Sequence, residues 1–113
     1  MDVAYVYGTV SDAFPGLIKI GRTTDVLSRI SSLNTGCAPM PHQLVAVVPT
    51  FNAVRDEKMA HAFFADLREE GEFFRTTKET VERFFERHIL PEYQADMQID
   101  KSARNAAGDP GIC

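Results

Sequence analysis

Ile18-Lys19-Ile20-Gly21-Arg22-Thr23-Thr24-Asp25-Val26-Leu27-Ser28-Arg29 reads as a short apolar strand that stops at Gly21, turns through Thr23-Thr24-Asp25 and enters a helix. Lys19, Arg22 and Arg29 are the only Lys or Arg residues among the first fifty, in a chain whose formal net charge is −4. A strand-to-helix junction that gathers cations suits an anion such as a phosphodiester, because the N–H groups at a helix start also attract negative charge. Thr24 or Asp25 is the expected N-cap and Asn34-Thr35-Gly36 the expected stop, so the helix runs from about Asp25 to Asn34. Val26, Leu27, Ile30 and Leu33 form its apolar stripe, and Arg29 lies beside that stripe.

Upstream, Val3 to Val10 is rich in β-branched and aromatic residues and reads as a strand with Tyr5 and Tyr7 on one face. Asp12, Pro15 and Gly16 carry turn chemistry, so this strand and Leu17–Gly21 are expected to pair as a hairpin, with Tyr7 near Lys19. Downstream, Gln43 to Pro49 is a continuous apolar run, expected to be the central and most buried strand. A second helix is expected from about Val54 to Glu69, with Met59, Ala60, Phe63 and Leu67 in the core. Glu57, His61, Phe64 and Arg68 form a line down one flank. Glu72–Arg75 is a short extended segment. Thr76 and Glu79 then fit a capping box for a third helix, whose core residues are Val81, Phe84, Phe85, His88 and Ile89 and which Pro91 is expected to end.

The expected fold is therefore one α+β domain over residues 1–93, a small, mostly antiparallel sheet of three to four strands flanked by three helices. Residues 94–113 turn polar and are expected to form a disordered tail. No apolar run approaches the roughly 20 residues of a membrane span and no signal-peptide pattern opens the chain, so a cytoplasmic protein is expected. Cys37 and Cys113 do not make a disulfide framework. Cys37, His42 and His61 fit no zinc-ligand spacing. The acidic balance argues against broad, non-specific nucleic-acid binding, although residues 1–50 set three cations against only Asp2, Asp12 and Asp25.

Several of these residues stand in a known order. Tyr5-Val6-Tyr7 ends a strand on an aromatic, Lys19-Ile20-Gly21 follows, and Arg29 comes eight residues after that glycine on the next helix. Glu57 stands on the helix after that. On these residues the chain resembles the GIY-YIG nuclease superfamily, and within it the phage-type DNA-binding subgroup of small GIY-YIG-like domains. That subgroup's further signature is matched by Glu57-Lys58-Met59-Ala60-His61 and by Gly71-Glu72-Phe73-Phe74. The resemblance covers about residues 3–90.

The resemblance implies a Mg2+- or Mn2+-dependent DNA endonuclease or nicking domain with Tyr7, Lys19, Arg29 and Glu57 as its catalytic residues. Tyr7 would be the base or would orient the attacking water. A phenol, with an ordinary pKa of about 10, serves as a base only beside cations, and Lys19, Arg22 and Arg29 are such neighbours. Arg29 would clamp phosphate and Glu57 would hold the metal, with Tyr5, Arg22 and His61 on the substrate and His61 supporting a metal-bound water or meeting DNA.

Lys19 stands where the family has tyrosine, and Leu33 where many relatives carry histidine. A second reading is thus a domain that binds DNA without cutting it. A third is a phage-encoded protein-interaction or inhibitor module, for which an acidic surface and the lack of room for an appended DNA-binding domain are natural. A monomer or a homodimer is compatible with each. Taken singly, Tyr5 and Tyr7 are also ordinary strand residues, Arg29 a surface partner for Asp25, and Glu57 a solvent partner for Arg55 or Lys58. Gly71–Phe74 reads as a structural anchor.

Overall fold

The hairpin forms as its sequence suggests. In the computed structural model, β1 (Ala4–Val10) pairs antiparallel with β2 (Ile18–Thr23), bringing Tyr7 opposite Gly21 and Thr9 opposite Lys19. Residues 2–33 and 42–106 are described, with the backbone alone for 30–33 and 100–106. The remaining elements are α1 (Val26–Leu33), β3 (Gln43–Thr50), α2 (Ala53–Phe63), a 3-10 turn (Ala65–Leu67), β4 (Arg68–Glu70), β5 (Phe73–Phe74) and α3 (Lys78–Phe84). A π turn (Phe85–Ile89) then leads into α4 (Leu90–Ala106). The five strands make one antiparallel sheet in the order β3-β1-β2-β5-β4. The architecture is α+β, as expected.

Alternation sorts the strand residues into two faces. Val6, Ile18, Ile20, Ala46, Val48 and Phe74 are buried on one face against Ala60 and Phe64 of α2 and Val81, Phe84, Phe85 and Ile89 of the later helical run. Tyr7, Thr9, Lys19 and Gly21 lie on the other.

Several local expectations are corrected. The apolar run of β3 is not central; it is an edge strand paired only with β1. Helices cover one of its faces, so Ala46 and Val48 are buried while Leu44 and Val47 are exposed. Pro49, which lacks the N–H of a ladder donor, is at home on such an edge.

The buried line of α2 is Asp56, Glu57, Ala60 and Phe64, and Phe63 and Leu67 are exposed. The helix is turned because its two acids find polar partners. The Thr50 hydroxyl and Arg55 Nε both donate to Asp56, and Arg22 meets Glu57. The helix also stops at Phe63, so Arg68 leaves the expected flank and enters β4, a fifth strand.

Leu27 is likewise exposed, while the Ile30 and Leu33 side chains lie outside the described residues, as do Gly36 and Cys37. The cap of α3 is Thr77, one residue later than expected, accepting from the Thr80 N–H. The Thr76 N–H is taken by the Phe74 carbonyl, which holds Thr76 in the preceding turn.

Pro91 does not end the helical run, and residues 94–106 continue it instead of forming a tail. The Leu90 N–H bonds the Phe85 carbonyl five residues back, so the turn before the proline is widened and its ring avoids the clash a regular helix would impose. His88 is exposed. Stacking of Phe51 on Tyr93, with ring centroids 4.9 Å apart, and a 2.8 Å Arg55–Glu92 ion pair tie the start of α4 to the body. No helix among the described residues is long and apolar enough to cross a membrane.

Phe74 joins sheet and helices, touching the rings of His61 and Phe64 and the Arg68 guanidinium. Phe74→Ala is expected to cost about 3–5 kcal/mol, as for truncation of a fully buried phenylalanine. Urea denaturation checks this; a loss below about 1 kcal/mol would contradict the central position given to this ring.

Candidate functional site

The site lies where the sheet is incomplete. β5 pairs with β2 only at Ile18 and Lys19, while β2 runs on to Thr23. At Ile20, the N–H donates to the Glu72 carbonyl at 2.9 Å, and the Ile20 carbonyl receives His61 Nε2 at 2.9 Å. A carbonyl only accepts, so His61 carries its proton on Nε2, and in the neutral ring the lone pair is on Nδ1. The imidazole thus takes the place of a missing ladder donor.

Side chains from both faces of the sheet meet at this notch. From the α2 side, Glu57 and His61 stand one helical turn apart. The Glu57 side chain is 8% exposed, and its Oε1 lies 2.6 Å from Nη1 of Arg22, whose own side chain is 46% exposed. From the other side, Lys19 Nζ lies 3.3 Å from Glu72 Oε2. One potential ligand atom from each of Glu57, His61 and Glu72 falls within 4.8 Å of the others. Two carboxylates and an imidazole are a donor set that fits a divalent cation.

Tyr7 and Arg29 form the second part. Arg29 Nε donates to the Tyr7 oxygen at 3.0 Å, and its two Nη groups make no hydrogen bond among the described residues. The Arg29 guanidinium is held above the ordinary arginine pKa, first by this bond, then by electrostatic attraction to the Tyr7 side chain, with burial opposing and Glu72 adding a smaller pull. Tyr7 is buried with its ring laid across Gly21. A Cβ at Gly21 would stand 2.7 Å from the phenol oxygen and 2.8 Å from its ring carbon Cζ. Glycine is therefore demanded here by the tyrosine across the ladder.

Of the seven expected site residues, Lys19, Arg22, Glu57 and His61 gather at the notch, and Tyr7 and Arg29 pair with each other, with Glu72 attracting Arg29. Tyr5 stands apart, lining a separate cavity with Asp25, Leu27 and Val47. The start of α1 is engaged by the chain's own acid, since the Ser28 N–H donates to Asp25 Oδ1 at 3.1 Å.

Glu72 was missed as a site residue. The Gly-Glu-aromatic-Phe signal was visible, but only the return of β5 beside β2 brings it to Glu57. A cavity of about 600 Å3 opens next to Lys19 and Glu72, with Phe14 and Phe73 in its wall.

Residues 3–89 match the T5orf172 domain, and the chain belongs to that family, a phage-associated domain related to nuclease-like folds. No curated protein and no solved structure matches the chain.

Gly21→Ala tests the packing at the centre of the site. It is expected to push the Tyr7 ring aside, break the bond to Arg29 and lower stability by about 1–3 kcal/mol. Thermal melting and the NMR signal of the Arg29 Nε–H would report both effects. An unchanged Nε–H signal at unchanged stability would refute the steric account.

Proposed function

We propose that this chain is a metal-dependent DNA endonuclease or nicking domain of the GIY-YIG kind, hydrolysing phosphodiester bonds. The observation that carries the proposal is the gathering of Glu57, His61, Glu72, Lys19 and Arg22 at one gap in the sheet, with the Tyr7–Arg29 couple attracted through Glu72. Its membership of a phage-associated family related to nuclease-like folds supports the same reading.

In this mechanism the two Nη groups of Arg29 fork onto phosphate oxygens, a geometry suited to a planar guanidinium. Arg22 and Lys19 add positive charge where negative charge develops. Tyr7 lies beneath Arg29, and a phosphate that draws the guanidinium outward uncovers the phenol oxygen. That oxygen then orients the attacking water or accepts its proton. The new P–O bond forms from that water as the bond to the departing sugar oxygen breaks, and the sugar oxygen leaves with its electron pair and gains a proton. Glu57, with His61 and Glu72 beside it, would hold Mg2+ or Mn2+. Such an ion supplies a Lewis acid to the phosphoryl and leaving oxygens. Phe14 and Phe73, 4.8 Å apart by ring centroids, give the adjoining cavity aromatic faces on which a base could stack.

A second reading, binding without cutting, draws on Lys19 in place of the family's tyrosine and on the burial of Tyr7. Supercoiled plasmid incubated with Mg2+ or Mn2+ separates the two. The wild type is expected to nick it, and Tyr7→Phe, Arg29→Ala and Glu57→Ala to lower the rate by about 100-fold or more. Folded wild type that leaves plasmid, branched and single-stranded DNA intact would sink the nuclease reading. DNA affinity that falls steeply with salt would then support the binding module over a protein-interaction role.

A further inference from the structure

We propose that Glu57, His61 and Glu72 together form a nitrogen-and-oxygen site selective for a transition-metal dication such as Mn2+ over Mg2+. Filling it releases Arg22 and Lys19 from their carboxylates to meet phosphate. The release half rests on the reading of this notch as a phosphate-handling site; the selectivity does not.

The ligand set carries the selectivity. Mg2+ favours oxygen donors and retains several waters, whereas an imidazole nitrogen adds more to the binding of a first-row transition dication, Mn2+ being the weakest of that series, than to that of Mg2+. His61 is prepared for that role, because Nε2–H is committed to the Ile20 carbonyl and the ring is thereby oriented with Nδ1 as the basic nitrogen. Metal-binding histidines use this kind of outer hydrogen bond to set tautomer and direction. Glu57 is fixed by burial, and Glu72, with a side chain 39% exposed, retains room to move. Three donors sharing one ion with bonds of about 2.1 Å stand about 3.0–3.6 Å apart. The present limit of 4.8 Å closes with a modest swing of Glu72.

The exchange follows from the partners these acids now have. Glu57 and Glu72 carry one negative charge each and are met by Arg22 and Lys19, so the four side chains sum to zero. The two cations occupy charge positions that an entering dication would take over. A dication held by the two acids frees both basic side chains and leaves the group with a charge of +2. Arg22, already half in solvent, is the readier to turn outward.

Isothermal titration of the full chain with MnCl2 and with MgCl2, without DNA, tests the site directly. Mn2+ is expected to bind at least about 10-fold more tightly than Mg2+, and His61→Gln and Glu72→Gln each to weaken Mn2+ by about 10-fold or more. His61→Gln keeps an amide donor for the Ile20 carbonyl, and circular dichroism verifies that both variants fold. Arg22→Gln, which removes a competing cation, is expected to tighten Mn2+ binding. Equal affinity for the two metals, or unchanged Mn2+ affinity in folded His61→Gln, would overturn the site. Weaker Mn2+ binding in Arg22→Gln would overturn the exchange.

The titration also stands apart from cleavage. A chain that shows this preference but cuts no DNA would refute the nuclease reading alone. A nuclease lacking the preference would refute this proposal alone.

Discussion

The peptide group of Ile20 holds the notch together. β5 is too short to satisfy the edge of β2, and a buried backbone carbonyl left without a donor costs about 1–3 kcal/mol. His61 meets that need, while the Ile20 N–H holds the Glu72 backbone in place. An imidazole on α2 and an acid at the start of β5 are thus brought together by the demands of main-chain hydrogen bonding. Glu57 follows, one turn before His61 on the same helix. The clustering of Glu57, His61 and Glu72 is a by-product of how an unfinished sheet edge is satisfied.

Two adjacent acids on α2 show how burial and role separate. Asp56 is closed in by the Thr50 hydroxyl and the neighbouring Arg55, which reaches on to Glu92 of α4. It ties strand, helix and helix together. Glu57 is almost as buried, yet its partner Arg22 is half in solvent. A buried charge whose one ion-pair partner among the described residues can move is open to exchange; one enclosed on several sides is not. Neighbouring carboxylates of the same chemical type therefore serve structure and site respectively.

The parts of this arrangement visible in the sequence are those that depend on local rules. Alternation and turn residues disclose the β1–β2 hairpin, Asp25 discloses the start of α1, and the spacing of Lys19, Gly21 and Arg29 points to the notch. What escaped depends on distant partners. The facing of α2 is decided by Thr50 and Arg22, which no helical period contains. An apolar run such as β3 has the same appearance at an edge as at a centre, until it is known how many strands flank it. Glu72 gains its meaning only when β5 returns beside β2. Pro91 would ordinarily stop a helix, and only the widened turn before it explains why α4 continues.

An open sheet has two free edges, and each is a template for another chain's backbone. In this domain both are spoiled for that purpose. β4 presents Arg68, Glu69 and Glu70, all exposed, and is only three residues long. β3 carries Pro49, and the register between β1 and β3 slips at Gly8 and Thr9. Strand addition at either side would meet like charge, a missing donor or an irregular edge. The same fold that leaves a gap in its middle is thereby guarded at its margins against polymerising into extended sheets when many copies crowd together.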